Sequence, residues 1–136
     1  METLTINTIQ SSFEQLKPVG TRTATYFYRK LVEFDPDVKN KYTGATSILS
    51  LANDFMSFLS TVVSNLNNYK KLKPVLKNLG QLFALNNVKP TFYDFMGTAF
   101  MATLAKNLKE KYTLEVQLAW LSFFKTITHT MRSANI

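Results

Sequence analysis

Cysteine is absent from all 136 residues, which excludes disulfides, thiolate metal sites and any thioether anchor point. Histidine occurs once, at His129, and glycine four times, at Gly20, Gly44, Gly80 and Gly97. One imidazole and no thiol remove the usual nucleophile and base pairs, and four scattered glycines leave no Gly-rich phosphate loop. Carboxylates are also few, and no two of them fall on a common apolar face. Asp35 and Asp37 flank Pro36 as cap and turn residues, while Glu110 and Glu115 bracket a later turn. An enzyme is therefore not expected. No stretch reaches the roughly 18 unbroken apolar residues of a membrane span. The start, Met1-Glu2-Thr3-Leu4-Thr5, lacks the basic flank and apolar run of a secretory leader. These absences lead to the expectation of a soluble, intracellular chain, in the cytoplasm or an organelle interior.

What is present is apolar and basic. Hydrophobic residues make up 46% of the chain and aromatics 13%, enough for one compact domain with a real core and against disorder. Sixteen Lys and Arg against nine Asp and Glu give a net charge of +7, so acidic partners are physically favoured. The lysines stand in small groups (Lys39 and Lys41; Lys70, Lys71, Lys73 and Lys77; Lys106, Lys109 and Lys111). None is interleaved with aromatics as in a nucleic-acid module, so protein partners with acidic surfaces are expected and nucleic acid is not.

Apolar spacing of three and four residues recurs along the whole chain. Ile6, Ile9, Phe13 and Leu16 predict a helix over about 4–17, closed by Pro18 and Gly20. Ala24, Phe27, Leu31 and Phe34 predict a second, ended by Asp35-Pro36. Phe55, Leu59, Val62 and Leu66 give a third stripe before Asn67-Asn68 breaks the pattern. From Tyr69 to Ala84 the inward face is expected to hold Val75, Leu79, Leu82 and Phe83. Pro90 suits the first turn of the next helix, and Thr113 is a candidate N-cap for the last. There Val116, Trp120, Phe123, Ile127 and Met131 form a closing stripe.

Certain short runs carry more than periodicity. In order they are Ser12-Phe13, Phe27-Tyr28 with Leu31, Asp35-Pro36, Tyr42, Leu79-Gly80-Gln81-Leu82-Phe83, Val88-Lys89-Pro90-Thr91-Phe92-Tyr93, Gly97, Ala99, Thr103-Leu104, Thr113-Leu114-Glu115-Val116 and Ala119-Trp120. In this order and spacing, over residues 8 to 131, the chain resembles the globins, in particular the bacterial or flavohaemoglobin-type single-domain globins. The resemblance implies an all-α, globin-like fold of six to seven helices, with residues 1–136 forming a single globin-like domain. Periodicity alone gives the helices without their arrangement.

The resemblance also assigns positions around a haem pocket. Tyr28 matches the tyrosine that hydrogen-bonds a haem-bound gas, and Tyr42 stands where a stacking Phe is expected. The distal polar residue falls near Leu51, with Phe55 one turn later, and neither side chain can hydrogen-bond a ligand. Phe83 occupies the slot of the haem-ligating histidine. His129 does not replace it: two residues from Ile127, about 200° round the helix, it shares a side with Lys125 and Arg132, away from the core. Other conceivable donors are the Tyr28 phenolate and the thioethers of Met96 and Met101.

No metal site and no cofactor are expected on this reading. Tyr28, Tyr42, Leu51, Phe55 and Phe83 become vestigial pocket positions, and the chain is expected to serve as a haem-free structural subunit, adaptor or sensor module in a larger assembly. The alternative is a retained pocket that binds haem through unorthodox ligation, or another apolar ligand, with Lys77 or Lys41 near its mouth.

Overall fold

The structure, a computed structural model, describes residues 1–34, 36, 57–85 and 91–133, with the side chains of residues 19–21, 82 and 83 left aside. Within them are six α-helices and no strand: α1 (Thr3–Leu16), α2 (Gly20–Phe34), α3 (residues 57–64), α4 (Tyr69–Leu85), α5 (Thr91–Leu108) and α6 (Leu114–Ser133). Short 3-10 turns at Lys17–Val19, Leu66–Asn68 and Lys109–Lys111 make three of the corners. Pro18 and Gly20 thus act together, with Pro18 inside the tight turn and Gly20 opening α2. After α5 the chain turns at Lys109, whose φ of 53° is the left-handed conformation that commonly stops a helix.

α5 is the central helix. Only Asp94 and Lys106 are charged along its 18 residues, so it is apolar nearly all round, as a helix covered on several sides must be. It packs mainly on α2, and also on α6 and α1. Phe100 lies fully buried at the middle, its ring 5.9 Å from Phe27 on α2 and 5.2 Å from both Trp120 and Phe124 on α6. Trp120 in turn sits 4.9 Å from Phe123 and 6.5 Å from Phe13 on α1. These tilted and edge-on pairs are the geometry that the ring quadrupoles favour. Trp120 also donates its indole Nε1–H to Ser12 Oγ at 2.8 Å, and the Ser12 hydroxyl donates in turn to Thr8 O at 2.8 Å. The one polar atom of the largest core side chain is therefore satisfied inside the core.

The predicted stripe of α6 is found as expected: Trp120, Phe123, Ile127 and Met131 are buried and Val116 is half-buried. Thr113 caps that helix by accepting the Val116 N–H at 3.3 Å. Two other phases differ. Phe34 is 41% exposed, because Ala24, Phe27 and Leu31 already fill the covered face of α2. Val75 is 53% exposed, and α4 instead turns Leu72 and Leu76 inward, with Gly80 buried one turn further on. The reason is a crossing of backbones. A Cβ on Gly80 would lie 2.1 Å from the Met131 carbonyl oxygen of α6, so the line of closest approach passes through residue 80 and sets the rotation of the helix. The hydroxyl of Tyr69, half-buried on α4, bonds Thr130 Oγ1 across the same interface.

Candidate functional site

Of the five pocket positions, the structure describes the side chain of one. Tyr28 is half-buried on α2, packed against the core one residue after Phe27. Tyr42, Leu51 and Phe55 lie outside the described residues; Phe83 lies in α4, but its side chain is outside them too.

Several apolar side chains of α4 and α5 are only half covered. Leu79 on α4 and Phe92, Phe95 and Met96 in the first two turns of α5 are packed on the core yet remain partly exposed. The core proper is closed beneath them by Tyr93, Ala99 and Phe100. Burial raises the Tyr93 phenol above its ordinary range, an effect that the Arg132 guanidinium, 5.2 Å over its ring, partly offsets. Tyr93 is accordingly a neutral phenol near neutral pH and no anionic donor.

The donor groups bear directly on which cofactor the chain can hold. His129 is exposed on α6, beside Lys125 and Arg132, as its helical phase predicts. α4 contains no histidine. Among the described residues no three His, Cys, Asp or Glu side chains converge on one point. Among the described residues Tyr28, Met96 and Met101 are half-buried donor-bearing groups packed against the core, and Met101 lines a groove between α5 and α6. This set does not fit haem ligated by imidazole from α4. Phenol and thioether are nonetheless side-chain types that hold haem iron in other proteins.

Two open grooves flank the C-terminal half of α6. The first, about 530 Å³, runs between α5 and α6 past Gly97, Met101 and Leu121. Arg132 Nη2 crosses its end to Asp94 Oδ1 at 3.1 Å. The second, about 710 Å³, lies between α4 and α6, with Lys73 and Lys77 on one wall and Lys125 and His129 on the other. Sequence reasoning did not assemble this second group, although one signal was available: no acidic residue occurs between Phe55 and Tyr93.

Comparison with known proteins places this architecture. The family model described as Globin matches residues 22–131. The chain is 25% identical to Neuroglobin from Tetraodon nigroviridis, over 90% of this chain and 85% of that protein. It is 27% identical to Cytoglobin-2 from Oryzias latipes over 68% of this chain, spanning 51% of that relative's length. Among solved structures, a hexacoordinated heme protein from an anhydrobiotic tardigrade, determined at pH 4, superposes with a TM-score of 0.85 at 16% identity, covering 98% of this chain and 94% of that one. The all-α arrangement expected from the sequence is thereby found.

These findings correct the expectation that the chain carries no cofactor. The match to the Globin family over residues 22–131 and the likeness to Neuroglobin over 90% of this chain overturn it, while the haem-protein neighbour shows the shared fold. The error lies in the physical step from a missing imidazole to a missing ligand. A large apolar macrocycle gains most of its affinity from the surface it buries, so the loss of one axial donor does not by itself empty the pocket.

Proposed function

The chain belongs to the Globin family, and on that premise we propose that it is a small-ligand-binding globin whose pocket takes haem without an imidazole from α4. The observation that carries this reading is the family match over residues 22–131, and the half-covered apolar side chains Leu79, Phe95 and Met96 support it. Leu79, Phe95 and Met96 would hold the faces of the group, and Tyr28 on α2 would stand beside it as hydrogen-bond donor or as phenol ligand. When bound, the haem would supply an iron centre open to small neutral ligands. The chain's own part is to exclude water and to fix the macrocycle between α2, α4 and α5.

The test is a haem titration of the purified chain followed by absorption, with Phe83→His and Tyr28→Phe run alongside. The parent is expected to develop a saturating Soret band whose position differs from that of Phe83→His, which should shift towards an imidazole-ligated spectrum. Tyr28→Phe should alter the parent's band if the phenol is the partner, and leave it unchanged if a thioether is. A parent that gains no saturable band overturns the proposal.

A further inference from the structure

The outward face of α6 carries an ordered pattern that haem binding does not use. Leu114, Leu118, Leu121, Lys125, His129 and Arg132 follow one another at spacings of four, three, four, four and three, which sets them in one stripe along the helix. The three leucines are 68%, 57% and 52% exposed. Single exposed leucines are ordinary, whereas a row of three leading into cations is a patch that marks an interaction surface. Across the larger groove the cationic end meets Lys73 and Lys77, one turn apart on α4. No acidic side chain lines that groove, and Lys73, Lys77 and Lys125 form no ion pair among the described residues.

We propose that this stripe and the facing α4 lysines dock an acidic amphipathic helix of a partner protein, apolar at one end and carboxylate-bearing at the other. Charge complementarity fixes the acidic end: four cationizable groups surround a groove in a chain of net charge +7. The leucines fix the polypeptide. A small anion would engage the cations and leave the apolar row uncovered. A lipid surface calls for cations flanking an apolar row along its length, but here apolar and basic segments follow each other along the helix axis. From Leu114 to Arg132 the stripe runs about 27 Å, which a helix of about 18 residues matches. This inference stands independently of haem occupancy.

The test uses a fluorescent 18-residue synthetic helix, with leucines on one face of its first two turns and glutamates on the same face of its remaining turns, titrated by anisotropy against the full chain. Saturable binding is expected, weakening by about tenfold as salt rises from low to physiological ionic strength and beyond. Lys73→Glu with Lys125→Glu, and separately Leu118→Ser with Leu121→Ser, should each weaken it about tenfold or more. Arg22→Glu with Arg29→Glu, both on α2, changes net charge equally but away from the stripe, and should leave affinity unchanged. All six positions are exposed, and circular dichroism checks that each variant keeps its helices. The proposal is overturned if the remote pair weakens binding as much as the groove pair, since net charge alone then acts. It is also overturned if the leucine pair has no effect, which would indicate a site for small anions. Binding to phosphatidylserine vesicles in place of the peptide, lost with the same leucines, would make the face a membrane surface and overturn it too.

Discussion

α6 is held in two different ways on its two sides, and the contrast explains which parts of the molecule tolerate change. Towards α1 and α5 it is fixed by rings: Phe13, Phe100, Trp120, Phe123 and Phe124 form one continuous aromatic cluster. Towards α4 it is fixed by closeness, with Gly80 against the Met131 carbonyl and the Tyr69 hydroxyl against Thr130. The first interface depends on how much apolar surface is buried. The second depends on one position having no side chain. Removing volume should therefore damage the aromatic side most, and adding volume the α4 side.

The largest expected effect is Trp120→Ala, which empties the centre of the ring cluster and removes the donor to Ser12 Oγ; a loss of about 3–5 kcal/mol in a urea unfolding curve is expected. Gly80→Ala adds a single carbon where backbone stands in the way, and a loss of about 2–3 kcal/mol would match the cost of overpacking. A Gly80→Ala variant that melts like the parent would show that α4 and α6 do not touch there. Ser12→Ala leaves the buried indole N–H without its acceptor and should cost about 1–3 kcal/mol, read from the shift in melting temperature. Gly97→Ala gives the smallest effect and the opposite sign. Nothing lies within 4 Å of a Cβ built there, so the better helix propensity of alanine should raise stability by up to about 1 kcal/mol. Together the two glycine variants sharpen the contrast, because the same chemical change is made once at a crossing and once beside an open groove.

Much of this is legible in the sequence where a single helix states its own case. The α6 stripe and its Thr113 cap follow from spacing and residue type, since both are local. α4 is harder, because Leu72, Val75, Leu76 and Leu79 satisfy two helical phases and only the crossing at Gly80 decides between them. Phe34 fails because it stands at the end of α2, where a correct period leaves it 41% exposed. The basic groove was visible as separate lysines and one histidine, but Lys73 and Lys125 become neighbours only through the packing of α4 on α6. Of the pocket, Tyr28 can be placed, whereas Tyr42, Leu51, Phe55 and the Phe83 side chain fall outside the described residues. The cofactor is not legible from the axial donor alone, because a macrocycle gains most of its affinity from the apolar surface it buries.

The central claim, that the pocket still takes haem, can be tested through the one tryptophan. Trp120 is the only indole in the chain and is fully buried beside α5, so its fluorescence reports on an acceptor bound within the same fold without interference from other sites. Stepwise addition of haem to the purified protein should quench this emission steeply and stop at one equivalent. A shallow decline with no break, indistinguishable from that of free tryptophan under the same additions, would contradict the account.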